Sequence, residues 1–331
     1  MLKILSGRFL IIAAAVVTVV GIFLLALPPG SPLKVLLFGN SLIVERPPIE
    51  TLRPNPAIMK IAHRGTTIHG PENTLPAFET AIEKGMEYVE IDVRFTSDGV
   101  PVVIHDATVD RTTNGVGKVS DFTLSELKEL DAGSWFADEF VGTQIPTLEE
   151  TLELTQGRIC IQWHTIERPN KASIELFRRF GFDRECLLIG IGRRGGGDIN
   201  LATARRVVNF WPDAPLMLPI KDPAEIKPIL QNFPNIRAIS VRRNHLFPEF
   251  IDTAHAEGLL VITSAIGQSD RALFYQNIIE LGADMFMLDY IDDFYTYLET
   301  GNTDTPSPQP PKNAEYLRSS PEQNDAPGKS N

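Results

Sequence analysis

Between residues 57 and 300, short apolar runs alternate with longer stretches whose apolar positions recur at helical spacing. The runs are MKIAHRG (59–65), YVEIDVR (88–94), RICIQWH (158–164), CLLIGI (186–191), PLMLPI (215–220), AISV (238–241), LLVITS (259–264) and DMFMLD (284–289). Between them lie segments such as TLPAFETAIEKG, KASIELFRRFG and FPEFIDTAHAEG, several of which close on a glycine, as helices do. Eight strands with helices between them predict a (β/α)8 TIM barrel over residues 57–300 rather than an open doubly wound sheet. No G-x-G-x-x-G follows a strand, which weighs against the open sheet.

One further run, PVVIHD (101–106), follows the second strand after the turn signal SDG. It predicts a hairpin folding back on that strand and carrying His105 towards Glu90 and Asp92. From about 108 to 147 no βα unit is visible; TTNGVG, LSELKEL and GSWF predict a small insertion over the barrel mouth.

The flanks differ from this rhythm. Residues 9–27, FLIIAAAVVTVVGIFLLAL, carry no charge, and about 20 such residues cross the hydrocarbon core of a bilayer as a helix. Lys3 and Arg8 precede the run, and no basic residue follows before Lys34. Residues 1–27 are therefore expected to form a transmembrane anchor, single-pass, with a cytoplasmic N-terminus and an extracytoplasmic catalytic domain. A cleaved signal peptide is the competing reading. Residues 28–56 are Pro-rich and read as a linker. Residues 301–331 hold almost nothing apolar and read as a disordered tail.

Composition narrows the picture further. With 331 residues, 43% of them hydrophobic, the chain can bury one large core. The net charge of −11 argues against a nucleic-acid partner, which needs a basic face. Cys160 and Cys186 sit in apolar runs without metal-type spacing and read as buried small hydrophobes. A disulfide is the alternative, which an extracytoplasmic compartment permits.

The candidate chemistry gathers at strand ends, where such barrels place their sites. HRGTTIHGPENT (63–74) and EIDVRFTSDGVPVVIHD (90–106) supply His63, Arg64, Glu90, Asp92 and His105. Later strands end at Gln162 and His164, at Gly192-Arg193-Arg194, at Lys221 and at Arg242. A cation-rich mouth around two carboxylates suits an anionic substrate bound with a divalent metal. Arginine can fork onto a phosphoryl oxygen, and an imidazole can protonate a departing alkoxide.

The ordered set HRG, PENT, EIDV, DG-x-x-VVIHD and IPTLEE resembles the glycerophosphodiester phosphodiesterases over roughly residues 59–290. The resemblance implies a TIM barrel with a small insertion after the second strand. It also implies hydrolysis of glycerophosphodiesters or lysophospholipid-type diesters with a divalent cation, Ca²⁺ or Mg²⁺. Carried over by position, His63 and His105 match an acid/base pair and Arg64 a phosphate-binding arginine. Glu90 and Asp92 match metal ligands, and Glu72 an acidic residue supporting substrate binding.

Two departures stand out. An E-x-K pair expected on the third barrel strand is QWH here, so Gln162 is expected as a neutral metal ligand and His164 at the substrate. Lys221 or Arg193 is expected to replace the lost lysine. At 263–265 the chain reads TSA, where the family commonly has tryptophan followed by threonine. The alternative function is a degenerate barrel that binds phosphodiesters or phospholipid headgroups without turnover. Duller roles also attach to single residues: Asn73 as the cap of a helix starting near Thr74, His69 in a loop, His245 and His255 at the surface. Glu90 and Asp92 could instead pair with Arg94, and GRRGGGD (192–198) reads as a loop.

Overall fold

The computed structural model describes residues 58–301 except 183–184, 194–197 and 267–270. Its parallel strands are β1 (Met59–Ala62), β2 (Tyr88–Phe95), β4 (Cys160–Thr165), β5 (Leu187–Ile191), β6 (Leu216–Pro219), β7 (Ile236–Ser240), β8 (Leu260–Ser264) and β9 (Met285–Leu288). Each pairs with its neighbour in the order β1-β9-β8-β7-β6-β5-β4-β2, and the β1–β2 pairing closes the barrel. The short strand β3 (Pro101–Val103) runs antiparallel on β2, with Val93 opposite Val103, which is the expected hairpin.

The strands are short and mostly apolar, because one face packs inward and the other packs under helices; Glu90, Asp92, Gln162 and His164 are polar exceptions towards the strand ends. Met59, Ile61, Leu188, Leu260, Ile262 and Met285 belong to the cluster that fills the barrel interior. The outer cluster joins Val89, Ile91 and Trp163 to Phe78 of α1 (Leu75–Glu83) and Leu152 of α3 (Leu148–Thr155). Trp163 stacks on Phe177 of α4 (Lys171–Arg179), ring centroids 4.8 Å apart. The insertion has a core of its own, built from Val102, Val109, Val119, Leu127 and Ile145. Its one α-helix, α2 (Leu124–Lys128), starts with a capping box between Thr123 and Glu126.

The remaining helices are α5 (Leu201–Phe210), α6 (Ile226–Asn232), α7 (Pro248–Ala256), α8 (Arg271–Leu281) and α9 (Ile291–Thr300). None of the described helices is long and apolar enough to cross a membrane. The expected anchor, its linker up to residue 57, and the tail beyond Gly301 lie outside the described residues.

Cys160 and Cys186 form a disulfide, so the reading of two buried thiols is corrected. The bond ties the start of β4 to the residue before β5 across 26 positions of chain. Closing a loop of that length removes denatured-state entropy worth about 3.5 kcal/mol in the chain-entropy model. The Cys160→Ser/Cys186→Ser variant is therefore expected to lose about 3 kcal/mol in urea unfolding. An unchanged unfolding midpoint would show that the bond does not constrain the fold.

Candidate active site

Alternate residues of a strand face the same side of a sheet. The parity that puts Met59 and Ile61 inside the barrel puts His63 at its mouth, and Tyr88 is followed on the same face by Glu90 and Asp92. On β4, Cys160 gives way to Gln162 and His164. Register aligns Glu90 with Gln162 and Asp92 with His164 on adjacent strands. His63, Arg64, Glu90, Asp92, His105, Gln162, His164, Arg193, Lys221 and Arg242 line one cavity of about 410 Å³.

The site demands close approach on β5. A Cβ at Gly190 would lie 2.7 Å from Gln162 Nε2 and 2.9 Å from Met217 Cε. Glycine is thus the residue that leaves Gln162 its place.

The loop after β1 is wound tightly around the carboxylates. Arg64 (φ 50°) and Asn73 (φ 56°) are non-glycine residues in the left-handed region, and Gly65 has φ 90°. Such backbone persists only where surrounding bonds hold it. Here Asn73 N–H donates to Arg64 O at 2.9 Å, and Arg64 N–H donates to Glu90 Oε2 at 2.9 Å. Asn73 Nδ2 donates to Asp92 Oδ2 at 3.1 Å. Asn73 is thus not the helix cap; Thr74 holds that position, and the Asn73 side chain braces a candidate metal ligand instead.

Both expected histidines are oriented by carboxylates. His63 Nδ1 lies 2.7 Å from Asp289 Oδ1, which also accepts from Thr67 Oγ1 at 3.1 Å. His105 Nδ1 lies 2.7 Å from Asp106 Oδ1. An ionised carboxylate only accepts, so each ring carries its proton on Nδ1 and leaves Nε2 to exchange a proton. Asp106 sits well below the usual carboxylate range: burial would raise it, but the hydrogen bonds from His105 and Arg111 outweigh burial.

A chain of ion pairs then links His105 to Arg64. Arg111 Nε donates to Asp106 Oδ2 at 2.6 Å, and its two terminal nitrogens fork onto Glu72 at 2.7 and 2.8 Å. Glu72 Oε1 also accepts from Arg64 at 2.9 Å. Glu72, expected at the substrate, is buried with its oxygens engaged by Arg64 and Arg111, and it is not among the residues that line the cavity. Arg94 does not pair with Glu90 or Asp92; it binds His105 O and Glu167.

Glu90 and Asp92 form the electrostatic centre. Burial, and then the neighbouring Asp92, push the Glu90 carboxyl well above its ordinary value of 4.5; Arg64 opposes this. Burial would raise Asp92 too, but His164, His105 and Arg64 together hold it far below its ordinary value. The pair is therefore asymmetric: burial and Asp92 favour the neutral form of Glu90, while His164, His105 and Arg64 favour the charged form of Asp92.

This sets a pH signature for the metal-free protein. The raised group, Glu90, stabilises the fold fully below its unfolded value, and that contribution is lost as pH rises through its folded value. Asp92 acts oppositely: its contribution is present above its unfolded value and is lost on acidification. The Glu90→Gln variant is expected to flatten the alkaline slope and to gain about 1 kcal/mol at neutral pH. It should lose cation binding at the same time. A wild-type slope in thermal melts against pH would contradict the assignment.

His164, expected at the substrate, lines the cavity and also stands beside the two carboxylates. Its Nδ1 lies 3.1 Å from Asp92 Oδ1 and 3.8 Å from Glu90 Oε1, and ligand atoms of the three residues fall within 4.8 Å of one another. Gln162 is 1% exposed, and its Oε1 has no hydrogen-bond partner. A buried acceptor left without a donor fits a cation ligand. The cavity therefore fits a divalent cation through Glu90, Asp92, Gln162 and His164.

The other histidines have partners that their sequence context did not signal. His69 Nε2 lies 2.9 Å from Asp292, and His255 Nε2 lies 2.8 Å from buried Asp284. His245 Nδ1 lies 3.1 Å from Lys221 O. Asp289, Asp106 and Arg111 were not anticipated as site residues. Asp289 ends the run DMFMLD, so strand-end position could have found it; Arg111 lies in the aperiodic insertion.

The family model described as the glycerophosphoryl diester phosphodiesterase family matches residues 63–292. A glycerophosphodiester phosphodiesterase of Caldanaerobacter subterraneus is 58% identical over 94 residues, which are 28% of this chain and 39% of that relative. The chain thus spans about two fifths of that relative's length. The crystal structure of the Agrobacterium tumefaciens glycerophosphodiester phosphodiesterase aligns with a TM-score of 0.61 and 28% identity, covering 71% of this chain and 98% of that one. An Oleispira antarctica phosphodiesterase, solved with its product sn-glycerol-3-phosphate, aligns with a TM-score of 0.64 and 25% identity, covering 73% of this chain and 97% of that one.

Proposed function

The chain belongs to the glycerophosphoryl diester phosphodiesterase family, and from that premise we propose that it is a metal-dependent phosphoric diester hydrolase. Its proposed substrates are glycerophosphodiesters or lysophospholipid-type diesters, and its products an alcohol and a phosphomonoester. The observation that carries the proposal is the pair His63–Asp289 and His105–Asp106, both imidazoles lining the cavity that holds Glu90 and Asp92.

When bound, a divalent cation supplies charge to a phosphoryl oxygen; the resemblance in sequence implies Ca²⁺ or Mg²⁺. Arg64, held by Glu72, faces the developing negative charge. One imidazole Nε2 takes the proton of the attacking hydroxyl as its oxygen bonds to phosphorus. The other, entering the step protonated on both nitrogens, gives its Nε2 proton to the leaving oxygen as the P–O bond breaks. Arg193, whose guanidinium donates to Pro219 O at 2.7 Å, and Lys221 and Arg242 make the wall built by β5 to β7 cationic. That wall supports an anionic substrate and compensates for the lysine missing from β4.

The apolar run over 9–27 supports a membrane-held protein with its barrel on the extracytoplasmic side. The Cys160–Cys186 disulfide is in keeping with that oxidising side.

The test is ³¹P NMR of the full chain with glycerophosphocholine and with lysophosphatidylcholine, first with added divalent cation and then with chelator. Cation-dependent appearance of a phosphomonoester is expected. Substrate binding without release across the panel would replace this reading with that of a degenerate barrel.

A further inference from the structure

The four candidate ligands form a donor set that Ca²⁺ and Mg²⁺ do not favour. Ca²⁺ takes six to eight oxygens, and Mg²⁺ holds to near-octahedral oxygen coordination. Here there are two carboxylates, Glu90 and Asp92, one amide oxygen on Gln162 and one imidazole on His164. Imidazole suits Zn²⁺, Co²⁺ and their neighbours, whose affinities for nitrogen-bearing sites exceed those of the alkaline-earth ions.

Resting on the phosphodiesterase reading, we propose that this chain binds a first-row transition cation of the Zn²⁺ class, with His164 as its nitrogen ligand and Gln162 as its neutral oxygen ligand. Three observations carry this. His164 Nδ1 is hydrogen-bonded to Asp92 Oδ1 at 3.1 Å and lies 3.8 Å from Glu90 Oε1, so an ion that takes the place of the Nδ1 proton can reach all three groups. Strand register sets His164 directly beside Asp92 and Gln162 directly beside Glu90, so the four side chains leave adjacent strands on one face. The Gln162 amide oxygen is buried and without a hydrogen-bond partner, although its residue is 1% exposed. A buried neutral oxygen beside two carboxylates is costly to leave without an electropositive partner.

The donor charges are consistent with this choice. Two carboxylates balance a divalent ion, and neither Gln162 nor a neutral His164 adds charge. Losing the third carboxylate weakens an all-oxygen ion most, because hard cations bind chiefly through charge. Gaining an imidazole strengthens a softer ion, which shares the nitrogen lone pair.

The experiment strips the full-length protein of metal and titrates it with Co²⁺, Zn²⁺, Ca²⁺ and Mg²⁺ by calorimetry. Co²⁺ then serves as the spectroscopic probe through its visible bands and X-ray absorption. Zn²⁺ is expected to bind at least about 100-fold more tightly than Ca²⁺ or Mg²⁺, and the Co²⁺ spectrum to show an imidazole ligand. His164→Ala should abolish that ligand signature. It should also weaken Zn²⁺ by at least about 100-fold, the upper end of the loss caused even by removing an outer-shell partner. Gln162→Ala should weaken Zn²⁺ by about tenfold.

Tighter binding of Ca²⁺ or Mg²⁺, or a wild-type Co²⁺ spectrum without imidazole, overturns the inference. If Ca²⁺ then supports diester cleavage, the phosphodiesterase reading survives alone. Imidazole-ligated Co²⁺ with no turnover under any ion supports the inference and ends that reading.

Discussion

Alanine at His63 or at His105 is expected to lower turnover by about 10²–10⁴-fold each, the range for removing a positioned general acid or base. Both rings hold Nδ1 against a carboxylate and leave Nε2 to exchange a proton, and both line the cavity. Removing either leaves half of the proton traffic to water. KM should change little, because Arg64 and the cationic wall still hold the substrate. The fold should survive in both variants. In His63→Ala, Asp289 keeps Thr67 as a donor, and in His105→Ala, Asp106 keeps Arg111. Asp289→Asn should also slow turnover, by releasing the His63 tautomer. The check is kcat and KM on glycerophosphocholine, with circular dichroism as the control for folding. Wild-type kcat in either alanine variant would remove that histidine from the chemistry.

Arg111→Ala is expected to cost about 3 kcal/mol in urea unfolding, the lower end of the loss when one partner of a buried ion pair is removed. Glu72 is 4% exposed and receives both terminal nitrogens of Arg111. Arg64 still binds Glu72 in the variant, and this limits the cost. Turnover should fall with stability, because Arg111 also holds Asp106, which orients His105. Arg111→Lys should rescue neither property, since an ammonium cannot fork across Glu72 while also reaching Asp106. A loss below about 1 kcal/mol would show that the bridge is a solvent-screened surface pair.

The barrel was legible because its eight strands are short apolar runs whose spacing leaves room for one helix each. The histidines and the carboxylate pair were legible because strand parity carries a buried row outward to its last polar residue. The insertion was legible as a break in the βα rhythm, with a helix at LSELK, but its small core of Val109, Val119 and Leu127 was not, since it follows neither a helical nor a strand period. Arg111 therefore had no pattern to mark it. Asn73 read as a helix cap because Asn is a common cap; its left-handed backbone and its bond to Asp92 depend on contacts 19 residues apart. Cys160 and Cys186 looked like apolar filler because nothing in their local sequence reveals that adjacent parallel strands bring their starts together. The neighbourhood of His164 was hidden for the same reason: only the β2–β4 register shows that it stands next to Asp92.

A crystal structure of the metal-loaded chain with glycerol 3-phosphate would test the account most directly. The phosphate is expected over Glu90 and Asp92, next to Arg64, with Nε2 of His63 and of His105 each within about 3 Å of a phosphate or glycerol oxygen. A phosphate bound elsewhere on the barrel, or one out of reach of both imidazoles, would contradict it.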